Sequence, residues 1–282
     1  MSISKTFKLG GTHEINRLGY GAMRITGKGI WGEPDSRENA KAVLRRAVEL
    51  GVNFIDTADS YGPAVSEPLI GEALAPFPKG LVVATKAGLT RQGPNKWLPV
   101  GRPEYLVQQV EMSLRLLKAD IIELWQLHRI DAKVPVEESL GVIAELQKQG
   151  KIRHVGLSEV KPSEIDQARK VVDIVSVQNL YNVGDRQHED VLKYCEAHNI
   201  AFIPWFPVAA GKLAQAGGKL DEVSKRHGTT VSQLSIAWLL HRSSVIVPIP
   251  GTSSVKHLEE NMKAGELALT AGEMQEIEAA AG

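Results

Sequence analysis

Apolar and polar positions follow two rhythms along this chain. Short, nearly unbroken apolar runs fall at 18–22 (LGYGA), 53–58 (NFIDTA), 81–86 (LVVATK), 121–128 (IIELWQLH), 154–158 (HVGLS), 174–179 (IVSVQN), 201–207 (AFIPWFP) and 245–251 (VIVPIPG). Longer segments with helical periodicity lie between them, at 36–51, 66–75, 102–118, 136–150, 162–172, 187–199 and 230–242. In VEESLGVIAELQKQG, Leu140, Ile143 and Leu146 recur every three residues and acids precede bases, as the helix dipole favours. Several helical segments open on Ser, Thr or Pro and close on Gly or Asn, the residues that cap helix ends. Ahead of them all, TFKLGGTHEINRLG sets Gly10-Gly11 between two short alternating runs, which reads as a β-hairpin.

Strands that are apolar on both faces and separated by helices belong in parallel sheets with the helices outside. The pattern predicts an α/β chain, and a (β/α)8 TIM barrel with an N-terminal β-hairpin, one domain over residues 1–282, closes it most simply. A doubly wound open sheet fits the alternation nearly as well. Its dinucleotide-binding version needs a Gly-rich turn after the first strand, and GYGAMR lacks the third glycine of that fingerprint.

Composition narrows the function. The 33 basic and 33 acidic residues cancel and no block of like charge stands out, so neither nucleic acid nor an anionic membrane is expected as a partner. The N-terminal MSISKTFKLGG has no apolar core of a signal peptide, and no run approaches the roughly 18 apolar residues of a membrane span. A cytoplasmic location is the expectation. Cys195, the single cysteine, excludes an internal disulfide and a multi-thiolate metal site.

In a barrel of this kind the active site forms where the strands end, so the polar residues that stop each apolar run carry the information. Asp56, with Tyr61 just beyond, ends the second run; Lys86 ends the third and His128 the fourth. Ser158 and Glu159 follow the fifth, Gln178 and Asn179 the sixth, and the seventh holds Trp205 and Phe206. Each alone has an ordinary explanation as a cap, an ion-pair partner or packing. Ionisable groups ending adjacent strands together would carry a desolvation cost with no return unless they act. A tyrosine is a poor acid at neutral pH, but a neighbouring ammonium stabilises its phenolate. Lys86 is expected to supply that charge, Asp56 to hold Lys86, Tyr61 to give the proton, and His128 to donate a hydrogen bond to the substrate oxygen. This suits protonation of an oxygen becoming an alkoxide, the half-reaction that accompanies hydride delivery to a carbonyl.

NFIDTADSYG, SEPLIGEAL, VVATKAG, LWQLHRID, GKIRHVGLSEV, VQNLYN, IPWFPVAAGKL and IPGTSSVKHLEEN occur in that order over essentially the whole chain. With them the sequence resembles the aldo-keto reductase family. LGYGAMRITG and the C-terminal segments are most similar to the branch with bacterial pyridoxal-reductase-like members. The resemblance implies a barrel that binds nicotinamide cofactor without a Rossmann fold, with a catalytic tetrad at Asp56, Tyr61, Lys86 and His128. It implies further that Ser158, Glu159 and Gln178 hold the nicotinamide amide and that Trp205 stacks on the ring. The rest of the cofactor would lie along Phe206, Pro207, Gly211 and Leu213 and then Gly251, Thr252, Ser253, Ser254, His257, Glu260 and Asn261, the last two near the adenine.

Two departures from the family stand out. Glu159 replaces the usual Asn, and a carboxylate accepts from an amide NH2 but does not donate to its carbonyl. Ser253 and Ser254 stand where many members carry basic residues for the NADP 2′-phosphate, leaving Lys256 and His257 as the nearest cations. NADP(H) in preference to NAD(H) remains the expected cofactor, since hydroxyls and helix N-terminal amides also bind phosphate. Met23, Trp31, Trp97 and Arg129 are the expected pocket lining, with Trp97 in the Gly/Pro-rich TRQGPNKWLPVG as a lid or wall, and an aromatic-lined site favours a flat small-molecule aldehyde or ketone.

Other readings use fewer of these residues. Lys86 alone would serve a Schiff-base aldolase, and Asp56, Asp59 and His128 a metal, though no metal is expected. GLSEV is not a nucleophile elbow, because Val160 stands where Gly is needed. A cofactor-binding regulatory or sensor protein of the same fold, with little turnover, is the alternative from another class.

Overall fold

The computed structural model describes residues 4–208 and 218–281. Strands β1 (Thr6–Leu9) and β2 (His13–Asn16) form the N-terminal hairpin, in antiparallel register with Phe7 opposite Ile15. Gly10 and Gly11 both take positive φ, +54° and +70°, as the central pair of the turn that Thr12 N–H closes onto Leu9 O (3.1 Å) within a three-residue loop. Gly10 has a second reason: a Cβ there would lie 2.3 Å from the His154 ring. The Thr12 hydroxyl hydrogen-bonds that ring at 2.8 Å, and Phe7, Leu9 and Ile15 are buried in the main core. The hairpin therefore plugs the end of the barrel where the strands begin.

Seven parallel strands follow: β3 (Tyr20–Gly21), β4 (Phe54–Asp56), β5 (Val82–Ala87), β8 (Ile122–Leu127), β9 (Ile152–Ser158), β10 (Ile174–Gln178) and β11 (Ala201–Phe202), neighbours in space in that order. All six residues of β5 are buried, as expected of a strand covered on both faces. The sequence pattern predicts an eighth strand at 245–251. That segment is a stave without a regular ladder, and the reason lies in its sequence: Pro248 and Pro250 have no N–H to give. It still closes the barrel, with Phe202 N–H donating to Val245 O (2.9 Å), Val247 N–H to Phe202 O (2.8 Å) and Gly19 N–H to Pro248 O (3.0 Å).

Buried Arg17 substitutes for the missing ladder. Its guanidinium donates to Ile246 O and Leu240 O, each at 2.9 Å, and also to Ser243 O and to Ser4 O, which ties the closing stave to the chain entry.

The helices α1 (Arg37–Glu49), α2 (Ser66–Leu74), α3 (Pro103–Leu117), α4 (Val136–Lys148), α5 (Pro162–Ala168), α6 (Glu189–His198) and α8 (Val231–Arg242) lie within the seven predicted segments. Leu140, Ile143 and Leu146 bury the face of α4. Ser36 caps α1 and Thr230 opens α8 with a capping box closed by Gln233. The structure adds α7 (Lys219–Arg226), α9 (Val255–Met262) and α10 (Ala271–Ala281), which periodicity missed because each is short or rich in Ala and Gly. It also turns the Trp97 segment into an antiparallel hairpin, β6 (Leu89–Arg91) with β7 (Trp97–Pro99), in place of a loop. Among the described residues no helix is long and apolar enough to cross a membrane.

Replacing Arg17 with Leu strands the carbonyls it serves in a dry site, and is expected to cost about 3 kcal/mol of folding stability. Urea denaturation measures it; a loss under about 1 kcal/mol would show that the stave closes without the guanidinium.

Candidate active site

Register decides which side chains meet. Asp56 pairs across β4 and β5 with Ala84, while Lys86 pairs across β5 and β8 with Gln126. Asp56 ends β4, and Lys86 and Gln126 stand one residue before the ends of β5 and β8, at one rim of the barrel. Lys86 is fully buried, and its ammonium spends its three hydrogens on Asp56 Oδ2 (2.6 Å), Thr57 O (2.8 Å) and the Tyr61 hydroxyl (3.4 Å). The other carboxylate oxygen of Asp56 accepts from the amides of Gln126 (3.1 Å) and Gln178 (2.9 Å). Tyr61 reaches the lysine because the chain turns sharply after it. Gly62 has φ +110° there, and a Cβ on it would lie 2.3 Å from Val65.

His128 follows β8 and stands edge-on to Tyr61, with ring centroids 5.9 Å apart. Its Nδ1 lies 3.3 Å from the Ser60 hydroxyl; with Ser60 donating, the imidazole hydrogen sits on Nε2. Burial, then the charges of Lys86, Arg129 and Arg91, hold His128 well below its ordinary 6.5, so it is a neutral donor. Burial pushes the Tyr61 phenol up from its ordinary value; Lys86 opposes this and Asp56 adds to it. The lysine thus acts with the expected sign, but burial outweighs it and the tyrosine is a protonated acid in the free protein. Burial alone would lower Lys86, yet Asp56 and Tyr61 more than offset it and the amine stays charged. A charged amine with every hydrogen committed is no Schiff-base nucleophile.

A cavity of about 590 Å³ opens over these groups. Asp56, Tyr61 and His128 form its floor, Ser158 and Gln178 its polar side, and Trp205, Phe206, Pro207 and Gly251 one wall. Met23, Trp97 and Arg129 line it too. Trp31 does not: it is 37% exposed. Thr252, Ser253, Ser254, His257, Glu260 and Asn261 run from the cavity edge into α9, whose N-cap is Ser254, and Gly211 and Leu213 lie outside the described residues.

Glu159 has taken up another task. Its Oε1 accepts from the Trp205 indole N–H (2.6 Å) and from Leu180 N–H (2.8 Å), with the residue in the left-handed region at φ +56°. The carboxylate sets the indole at the cavity wall. Phe206 is also left-handed, at φ +53°, and strain of this kind, about 1 kcal/mol or more per residue, collects at binding sites.

Three contributors escaped the sequence reading. Gln126 was legible only as a polar residue inside an apolar run. Ser60 orients the histidine. Arg91 lies 3.5 Å from the Trp97 ring centroid and donates to Ile30 O (2.6 Å) and Ser60 O (2.7 Å), so it pins the β6–β7 hairpin to the loop that carries Tyr61. Nothing local in TRQGPNKWLPVG marks that role. Among the described residues no three His, Cys, Asp or Glu side chains assemble as a metal-ligand set, and Asp59 turns instead to the Tyr105 hydroxyl (3.1 Å).

Barrel, tetrad and cavity together define an aldo-keto reductase. The aldo/keto reductase family matches residues 17–281, and the chain belongs to it. It is 56% identical over 91% of its length to an uncharacterized oxidoreductase of Schizosaccharomyces pombe, covering 83% of that protein. It is 43% identical to pyridoxine 4-dehydrogenase of Escherichia coli, with 95% of each chain covered. Among solved structures, an aldo-keto reductase from Klebsiella pneumoniae in complex with NADPH superposes with a TM-score of 0.84, at 25% identity over 99% of this chain and 95% of that one.

The histidine gives a stability test. With its folded pKa below 6.5, the unfolded chain takes up a proton that the native site refuses, so stability is lost as pH falls through 6.5. Relative to His128→Gln, the wild type is expected to lose about 1.4 kcal/mol between roughly pH 7.5 and 5.5 by urea denaturation. A constant difference would mean that His128 titrates normally.

Proposed function

We propose that this protein reduces a small aromatic aldehyde to its alcohol with NADP(H), pyridoxal being the first candidate. The observation that carries the reading is the buried chain Asp56–Lys86–Tyr61 ending beside a neutral His128 in a cavity with apolar walls. The 43% identity to pyridoxine 4-dehydrogenase supports the substrate class, and the NADPH complex of a relative supports the cofactor.

The cavity's donor set fits a nicotinamide. Gln178 gives its NH2 to Asp56, which leaves its carbonyl oxygen to accept from a carboxamide NH2, and Ser158, which accepts from Arg129, keeps its hydroxyl hydrogen for the carboxamide oxygen. On this reading Ser158 supplies the donor that the Glu159 carboxylate lacks. Trp205, held by Glu159, offers its indole face to the ring. Ser253, Ser254, His257, Glu260 and Asn261 are the residues for the adenosine end, with the N-terminus of α9 and the Ser254 hydroxyl toward a phosphate.

When bound, the nicotinamide supplies the hydride. Tyr61 O–H and His128 Nε2–H meet the substrate carbonyl oxygen. As that oxygen takes on charge, Tyr61 transfers its proton to it, and the Lys86 ammonium, held charged by Asp56, stabilises the phenolate left behind. Trp97 and Met23 close the cavity over a flat substrate, and apolar walls there favour charge neutralisation over exchange with water.

Steady-state oxidation of NADPH, with NADH alongside, against pyridoxal and other aldehydes tests this. Tyr61→Phe is expected to lower turnover by about 10²-fold or more while leaving NADPH affinity nearly unchanged, since the phenol acts on the substrate oxygen. Tight cofactor binding without turnover on any aldehyde, or near-normal rates in Tyr61→Phe, would contradict the proposal.

A further inference from the structure

Of the arginines near the site, Arg91 is committed to backbone carbonyls and to the Trp97 face. Arg129 differs. Its Nη1 donates to His128 O (2.6 Å) and Ser158 Oγ (3.0 Å), which fixes the guanidinium in place. Among the described residues its Nε and Nη2 hydrogens find no acceptor and no carboxylate oxygen lies within 4.0 Å of it. Yet it lines the same cavity as Tyr61 and His128, and its charge acts on both. Arg24 also reaches the cavity, but from an exposed 3₁₀ turn beside Gly251.

A guanidinium is weakly hydrated, planar and built to meet two anionic oxygens or one in a fork. Partial burial lowers its pKa, and the charge of Glu159, which makes no ion pair with it, offsets that cost only in part. We propose that Arg129 selects substrates that carry an ionised oxygen beside the reacting carbonyl, a phenolate ortho to an aldehyde or a neighbouring carboxylate. The inference rests on the reductase reading. With Tyr61 and His128 on the carbonyl oxygen, the free edge of the fork meets the adjacent substituent, so the same contact orients the carbonyl and neutralises the anion. Apolar neighbours such as Trp97, Phe206 and Ile249 strengthen that contact by excluding water.

The test compares kcat/KM for benzaldehyde, 2-hydroxybenzaldehyde and 2-carboxybenzaldehyde in the wild type, Arg129→Met and Arg129→Lys, with NADPH dissociation constants measured in parallel. The ratio of each ionisable aldehyde to benzaldehyde cancels intrinsic reactivity and any loss common to all substrates. For at least one of the two, that ratio is expected to fall about tenfold or more in Arg129→Met and to recover in part in Arg129→Lys. Which ratio falls tells phenolate from carboxylate. Unchanged ratios overturn the inference while leaving the reductase reading standing. So does an equal loss on all three aldehydes with a matching rise in the NADPH dissociation constant, which would assign Arg129 to the cofactor. No turnover of any aldehyde by the wild type overturns the reductase reading, and this inference with it.

Discussion

The fully buried ammonium of Lys86 is the constraint on which the rest of the site depends. A lone charge in a barrel interior is far too costly to persist, so every hydrogen on it must be met, and one partner must be an anion that is itself satisfied. Four staves of the barrel supply this: Asp56 from β4, Lys86 from β5, Gln126 from β8 and Gln178 from β10. Only one register does so. A slip of one residue on any of these strands would turn its polar side chain from the barrel interior to the helix layer. The pair is thus weak evidence for stability and strong evidence for purpose, because an apolar core of the same volume would fold at least as well.

What lies above the pair follows from it. The turn that ends in Tyr61 spends Gly62 to bring the phenol onto the ammonium, and Arg91 locks that turn to the hairpin that carries Trp97. Elsewhere around the cavity Glu159 accepts from the Trp205 indole, Ser158 accepts from Arg129 and Gln178 donates to Asp56. The cavity is therefore bounded by side chains already fixed before any ligand arrives, which reduces the ordering cost of binding.

The alternation of apolar and amphipathic runs was enough to read parallel strands under helices, because a strand covered on both faces has no other composition, and the glycine missing from GYGAMR weighed for the barrel over an open nucleotide-binding sheet. The eighth stave read correctly as a location and wrongly as a regular strand, since Pro248 and Pro250 favour an extended chain yet withhold ladder hydrogens. The short helices α7, α9 and α10 left too little periodicity to detect. In the site, the tetrad was legible because ionisable residues end apolar runs. Gln126, Ser60 and Arg91 were not, for their roles depend on partners 70, 68 and 31 residues away in the chain. Trp31 illustrates the converse: aromatic and near the rim in sequence, it lies outside the cavity wall because its neighbour Ile30 takes that place. The phenol's net shift was also out of reach of the sequence, which shows the nearby lysine but not the depth of burial that outweighs it.

The central claim is that Asp56 and Lys86 act as one unit upon Tyr61. The most direct test is a double-mutant cycle in kcat/KM for aldehyde reduction with Asp56→Asn, Lys86→Met and the combined variant. If the carboxylate acts only by holding the ammonium, the combined variant is expected to be no slower than Lys86→Met alone, within about threefold. Losses that multiply across the two substitutions would show that Asp56 and Lys86 act independently, and would contradict the account.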